Sequence, residues 1–250
     1  MRTKAGKRIC LAIDTTSPYL GLALHDLSSP GAPGLARHFA VPEDKQTDAL
    51  FPTLDRLLKS KRLKRADLAL IAVDHGPGSF TGVRVGVAAA RAVAQALALP
   101  IVGVGSLEIL AWEAAEKTPP GRLTIAARLP ALAGDAYFAI FERGAKGQWS
   151  TRRAPVWTTE ANVDAEIALL AKAGAHLVAV DRANATSSYP AGLIVHRAIA
   201  PDPSALARLA CARCGPRPSA ATFSIERTIP IYLQPSWAER SKKPARRGSA

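Results

Sequence analysis

The chain has 250 residues, with 33 Lys and Arg against 20 Asp and Glu, a formal net charge of +13. With 48% hydrophobic and 21% charged residues it can fill one or two cores, which excludes a wholly disordered protein. Three cysteines exclude a disulfide scaffold and point to a reducing compartment. The longest apolar tract, Val83 to Val104, is broken by Arg84, Arg91, Gln95 and Pro100, so no membrane helix is expected.

Ile9 to Ile13 reads as a short strand ending in the polar turn Asp14-Thr15-Thr16-Ser17-Pro18. Tyr19 to His25 completes a hairpin, and Leu35 to Val41 is a candidate third strand after a Pro/Gly/Ser loop. The basic start, Met1 to Arg8, runs straight into the first strand, so a signal peptide is not expected and a cytoplasmic protein is. Thr47 to Lys59 is helical, with Leu50, Leu54, Leu57 and Leu58 on one face and Asp48 in the first turn. Leu68 to Val73 is continuously apolar, as a strand buried on both faces should be. After it come a glycine loop, a long helix to about Leu99, a strand at Ile101 to Val104 and a helix at Leu107 to Lys117.

Thr118-Pro119-Pro120-Gly121 marks the domain boundary, giving 1–117 and 118–233, with a basic tail at 234–250 expected to be disordered. In the second half Leu123 to Arg128, Ala136 to Phe141, Thr151 to Trp157 and His176 to Val180 read as strands. Glu160 to Ala173 and Ser204 to Cys214 read as helices, and Ile229 to Leu233 is an extended apolar patch. Both halves mix strands and helices, so the fold class is α/β.

Part of the positive charge is terminal (Arg2, Lys4, Lys7, Arg8, then Lys242, Lys243, Arg246, Arg247), and a run lies at Lys59-Ser60-Lys61-Arg62-Leu63-Lys64-Arg65. Solvated tails with a solvated helix end, and a polyanion site, are both open. Gly76-Pro77-Gly78-Ser79 lies between a buried strand and a helix, where free amides could bind an anion and Ser79 could cap the helix. Its spacing to Gly82 is too long for a dinucleotide fingerprint, and no Gly-Lys-Ser/Thr follows. A tight turn without a ligand remains the alternative.

The helix from Thr81 to Leu97 is apolar almost all round, with Gly82, Gly86 and Ala90 four apart on one narrow face. The helix from Thr47 to Lys59 carries Ala49 and Phe51 beside its leucine stripe. These two helices form either a partner interface or a core within one domain. In the first case Leu50, Leu54, Gly82, Val83, Gly86, Val87 and Ala90 are the contact residues.

The residues Ile13-Asp14-Thr15-Thr16, Leu50-Phe51-Pro52, Gly76-Pro77-Gly78-Ser79-Phe80-Thr81-Gly82-Val83-Arg84-Val85-Gly86 and Ile101 to Leu107 resemble the bacterial TsaB (YeaZ) family. The resemblance runs well from Ile9 to about Trp112 and is patchier through Arg128, Asp135-Ala136-Tyr137 and Pro230-Ile231-Tyr232-Leu233. It implies the actin-like ATPase (ASKHA) superfold of two related α/β halves. It also implies an accessory, dimerisation subunit of the tRNA N6-threonylcarbamoyladenosine-37 transferase complex. The implied partners are a TsaD-like catalytic subunit, a TsaE-like ATPase and tRNA through the complex, with homodimers when the partner is absent. No cofactor is expected on the chain alone, and ATP or ADP only within the complex.

The catalytic relatives carry a His-x-x-x-His pair after the strand that ends here at Val104. Ser106-Leu107-Glu108-Ile109-Leu110-Ala111-Trp112 has no histidine, and His25, His38, His75, His176 and His196 are scattered, so neither a metal site nor a catalytic residue is expected. The family often has His-Ser-Glu where this chain has Gln46-Thr47-Asp48. Leu129 to Gly134 reads as an insertion before Asp135, and the aspartate often found two before Arg128 is replaced by alanine. Cys211 and Cys214 form a C-x-x-C near a helix end, with Cys10 far away in sequence, and read as incidental. The rival reading is an ATP-binding kinase or ATPase of the same superfold, with Asp14, Thr15, Gly76, Gly78 and Ser79 as its phosphate residues. A peptidase, with His75 near Ser79, is discounted for want of a nucleophile–base–orienter set.

Overall fold

The computed structural model describes residues 7–29, 34–42, 45–180 and 189–233; the basic termini and the tail at 234–250 lie outside these. The first half runs β1 (Ile9–Asp14), β2 (Leu20–Asp26), β3 (Ala36–Ala40), α1 (Gln46–Ser60), β4 (Leu68–Asp74), α2 (Phe80–Ala96), β5 (Ile101–Val104) and α3 (Ser106–Glu116). The second runs β6 (Leu123–Pro130), β7 (Asp135–Arg143), β8 (Trp149–Thr159), α4 (Glu160–Lys172), β9 (His176–Val180), β10 (Ile194–Ala198) and α5 (Pro203–Cys214).

Each half builds one five-stranded sheet, and the two sheets share a topology. The first has the order β3-β2-β1-β4-β5, antiparallel across the hairpins and parallel from β1 to β4 to β5. The second, read as β8-β7-β6-β9-β10, repeats that pattern strand for strand. Alternation along β1 explains why its central position needs an unbroken apolar run. Ile9, Leu11 and Ile13 face a core shared with α1 and α2, while Cys10 and Ala12 face a second core shared with α5. The second sheet is likewise covered by α3 on one face and α4 on the other.

Two helices cross between the halves. α3 follows the first sheet in sequence and packs on β6 and β7, whereas α5 follows the second sheet and packs on β1 and β2. A cut at residue 117 therefore separates the sheets but not the layers that cover them. Only about six residues of loop join α3 to β6, so α3 can lie on the far sheet without leaving its own strand order.

Three elements differ from the sequence reading. The sequence pattern predicts no element at β10, where Ile194-Val195-His196-Arg197-Ala198 forms a short, half-exposed edge strand. The patch Ile229 to Leu233 joins no sheet; it lies along the glycine loop, with the Ile231 N–H donating to the His75 carbonyl at 2.8 Å. Leu129 and Pro130 of the expected insertion belong to β6, and only residues 132–134 form a separate 3-10 turn into β7.

Candidate functional site

The carboxyl ends of the parallel strands in both sheets face one another across a cleft of about 630 Å³. This is where open α/β sheets put ligands. Its walls are Thr16 to Tyr19 after β1, Pro77 to Ser79 after β4, Leu129 and Pro130 from β6, and Arg197 to Pro201 at and beyond the end of β10. The surface is largely aliphatic and proline-rich, with Arg197 as its charged residue among these.

Beneath the cleft the structure brings together a polar cluster only partly anticipated from sequence. Asp14 and Asp74, at the ends of adjacent β1 and β4, are both buried. The Thr16 hydroxyl bridges them, at 2.8 Å from Asp14 Oδ1 and 3.2 Å from Asp74 Oδ2. Asp14 Oδ1 also accepts from the Thr16 N–H, and Asp74 Oδ1 accepts from the Ser106 hydroxyl at 2.6 Å and from the Gly76 N–H at 2.9 Å. Asp14 Oδ2 has no hydrogen-bond partner among the described residues. Burial pushes Asp14 up to about 6, and burial together with the neighbouring Asp14 charge pushes Asp74 well above the usual carboxylate range. Asp74 and Ser106 were missed as site residues. A carboxylate closing a fully apolar strand, and a serine at the start of the next helix, were the available signals.

The phosphate-loop candidates are largely engaged within the fold. The Thr15 hydroxyl donates to the Gly82 carbonyl at 2.7 Å. The Gly76 N–H is held by Asp74, the Ser79 N–H donates to the Thr16 carbonyl at 2.7 Å, and the Ser79 hydroxyl accepts from the Gly82 N–H at 3.2 Å as the cap of α2. A side chain at Gly78 or Gly82 would run into the backbone of Thr16 or Thr15, so these glycines let the loop and α2 close down on the turn after β1. Asp14, Thr15, Gly76 and Ser79 thus make their polar contacts largely with one another and with α2, while Gly78 and Ser79 also line the cleft.

His75 is half-buried against Gly103, and desolvation pushes it down to about 4, so it is neutral near pH 7. Ser79 serves α2, and no hydrogen bond joins it to His75 among the described residues. Two histidines that sequence spacing left apart do meet. His176 Nδ1 and His196 Nε2, on adjacent parallel strands, are 3.0 Å apart. Burial lowers both, as do mutual repulsion and Arg143 for His176 and Lys117 for His196. The thiols also converge: Cys10 on β1 hydrogen-bonds to Cys211 on α5, which with burial raises it, and burial pushes Cys214 up to about 12. Sequence distance had set Cys10 apart; the crossing of α5 brings it in. Among the described residues no group of three or more His, Cys, Asp or Glu could hold a metal ion. Among them, too, no helix is long and apolar enough to cross a membrane.

The proposed contact residues lie inside this molecule. Leu50, Leu54, Gly82, Val83, Gly86, Val87 and Ala90 are all buried. The five with side chains beyond glycine pack on the first sheet, and a side chain at Gly86 would overlap the Thr15 hydroxyl. They form the inner face of α1 and α2, so a charge at Val87 or Ala90 would unfold the lobe before it reported on a partner. Apart from Leu54, which also walls the groove described below, the outward face is made by other residues. Phe51 and Phe80 are 45% and 49% exposed, and Ala88, Ala92 and Ala96 lie open on α2. Between α1 and α2 runs an apolar groove of about 400 Å³, walled by Phe51, Leu54, Leu68, Ala92, Val93, Ala96 and Leu97 and bordered by Arg65.

Comparison with known proteins matches this geometry. A sequence model of the TsaD family, described as tRNA N6-adenosine threonylcarbamoyltransferase, matches residues 41–133. The tRNA threonylcarbamoyladenosine biosynthesis protein TsaB of Escherichia coli is 32% identical over 139 residues, 56% of this chain and 57% of that protein. The TsaB protein of Bacillus subtilis is 38% identical over 101 residues, 40% of this chain and 42% of that protein. The chain thus spans about half the length of the curated relatives it matches. YeaZ from Pseudomonas aeruginosa superposes over 90% of this chain and 100% of its own, with a TM-score of 0.66 at 21% identity. A second structure, described as an uncharacterized protein with similarity to peptidase YeaZ from Pseudomonas aeruginosa, reaches 0.68 over 91% of this chain at 21% identity. The duplicated sheet topology is that of the actin-like ATPase fold, with two related α/β halves.

Proposed function

We propose that this chain, a member of the TsaB (YeaZ) family, is the accessory, non-catalytic subunit of an assembly that makes N6-threonylcarbamoyladenosine on tRNA. It binds and stabilises a TsaD-like catalytic chain through the outer face of α1 and α2. One observation carries this reading: the two helices that cover the first sheet keep an apolar groove and two half-exposed phenylalanines on their solvent side. An exposed apolar patch of this kind marks an interaction site on a monomer. A TsaE-like ATPase and tRNA join through the complex, ATP or ADP enters only there, and the setting is cytoplasmic.

An ATPase reading has less support. Its phosphate residues are engaged with one another, and its carboxylates lie buried at Asp14 and Asp74, each pushed toward the protonated form. The test is co-purification with the TsaD-like protein of the same organism. Ala92→Trp fills the groove from an exposed position, so the variant should keep its melting temperature and lose the complex. Survival of the complex at unchanged affinity would overturn the docking face. Formation of threonylcarbamoyladenosine on tRNA by the isolated chain would overturn the accessory role.

A further inference from the structure

We propose that the start of β1 and the turn after α1 form a phosphate-binding surface through which this chain itself touches RNA. The inference rests on the tRNA-linked role proposed above and adds where, and by what chemistry, this chain makes its contact. Strand pairing brings the two stretches together. Ile9 opposes Leu68 at the start of the parallel strands β1 and β4, so Lys7 and Arg8 emerge beside the turn at 59–67. This is the end of the sheet opposite to the one that faces the cleft. Lys7, Arg8, Lys59, Lys61, Arg62 and Lys64 are all exposed there, and none is in an ion pair among the described residues. The acids at this end are engaged locally. Asp26 accepts from the Ser28 N–H, Asp55 holds Arg65, and Asp67 accepts from the Lys64 backbone N–H, each at 2.8 Å.

Like charges gathered in this way repel one another, so the fold alone gives them no reason to cluster. The C-terminus of α1 accounts for Lys59, since a cation suits a helix end, but the others lie beyond the helix. The duplicated fold supplies a comparison. α4 takes the place of α1 in the second lobe and ends in the same hydrogen-bond pattern. The N–H groups of Lys61, Arg62 and Leu63 donate to the carbonyls of Leu58, Lys59 and Leu58, and those of Ala173, Gly174 and Ala175 to Leu170, Ala171 and Leu170. The left-handed position of this turn is Gly174 after α4 (φ 65) and Arg62 after α1 (φ 53). Glycine is the usual occupant because a side chain there is strained. Ala98 takes the same position after α2 (φ 50) with a plain methyl, whereas at Arg62 the strained residue is a cation among five others. The turn Ala173 to Ala175 carries no charge at all.

Exposed Lys and Arg on short stretches make contacts to phosphates, which release counterions and carry no base information. RNA fits this surface better than an anionic membrane does. Membrane attachment sets an apolar face beside the charge, and the large hydrophobics exposed among the described residues, such as Phe51 and Phe80, all lie outside these two stretches.

The test measures binding of a tRNA transcript to the full chain, alone and with the purified TsaD-like protein of the same organism. Affinity should fall roughly a hundredfold between about 50 mM and about 200 mM salt, as about four phosphate contacts require. Arg62→Gly is the decisive variant, because it relieves the backbone and removes a cation together. It should keep or raise the melting temperature, weaken tRNA binding about fivefold and lessen the salt dependence by about one phosphate. The triple variant Lys59→Gln, Lys61→Gln, Lys64→Gln should weaken binding further, and Lys172→Gln, an exposed cation of the second lobe, should leave it unchanged. Salt-independent binding, full affinity in Arg62→Gly or the triple variant, an equal loss in Lys172→Gln, or tighter binding to phosphatidylglycerol vesicles than to tRNA overturns the inference. The two readings fail separately. If the variants keep full tRNA affinity while the complex with the TsaD-like protein forms, only the RNA contact falls. If the variants lose tRNA but the chain never associates with the TsaD-like protein, only the docking role falls.

Discussion

The two sheets follow one plan, yet they differ in what connects their two outermost parallel strands. Twenty-six residues separate β4 from β5 and carry the 17-residue helix α2. Thirteen separate β9 from β10, too few for such a helix. The extra helix explains most of what distinguishes the first lobe. It needs the glycine loop to start flush against β1, it buries Val83, Val87 and Ala90 on the sheet, and it creates the groove against α1. In the second lobe the corresponding edge is the half-exposed strand β10, held to β9 in part by the histidine pair. A duplicated architecture can therefore keep one framework while a single connection decides which half offers a surface.

The sharpest way to break this contrast is Gly82→Ala. The added methyl would overlap the Thr15 carbonyl, so α2 must lift off β1. A loss of about 3 kcal/mol or more is expected, at the upper end of overpacking effects, read as a fall in denaturation midpoint. A smaller loss would mean that α2 is loosely seated. The crossing helices provide the next test. Leu206→Ala on α5 and Leu110→Ala on α3 each remove a fully buried side chain from the opposite half's core. Each should cost about 2–5 kcal/mol and lower one shared transition. Two separate transitions would show that the lobes fold independently despite the crossing.

Acid should act on the lobes differently. Asp14 is raised from 3.8 to about 6 in the fold, so the folded state binds more protons than the unfolded between those values. Its contribution to stability therefore grows as pH falls through about 6 and is lost as pH rises, by about 3 kcal/mol across the window. His75 is lowered from 6.5 to about 4, so its stabilising effect is present above 6.5 and disappears as pH falls toward 4. These slopes oppose each other in the first lobe. In the second lobe His176 and His196 are both lowered, so each adds to the loss below pH 6.5. Hydrogen exchange at about pH 5 should open β9 and β10 before β1 and β4. Asp14→Asn should steepen the acid loss of the first lobe, and His196→Gln should flatten that of the second. Equal response of both sheets would refute the assignment.

The mildest change is Arg37→Ala. The Arg37–Asp202 pair ties β3 to the cap of α5 at 2.8 Å, but Arg37 is 45% exposed, so a loss of about 0–1 kcal/mol is expected. The counterpart in the other lobe, Arg128 with Glu160, has its guanidinium buried and both Glu160 oxygens bound. Glu160→Ala there should cost several times more, roughly 3 kcal/mol.

Local patterning made the elements readable: the apolar run of β4, the leucine stripe of α1 and the cap at Ser79 each announce themselves within a few residues. β10 did not, because a five-residue edge strand has too little alternation to stand out from a loop. The glycine block carried the resemblance to the TsaB (YeaZ) family, and through it the expectation of the fold. What no local pattern could say is which face of a helix looks outward. Gly82, Gly86, Val87 and Ala90 have the composition of an interface and the position of a core, because Thr15 and β1 already fill the space beside them. The same holds for the Asp14–Asp74 pair, the two histidines and the Cys10–Cys211 contact. Residue type and spacing specify strands and helices through short-range sterics and hydrophobic period. Partnership between residues 60 or 200 positions apart exists only after the sheets pair and the helices cross, since that is when burial and hydrogen bonding assign each side chain its neighbour.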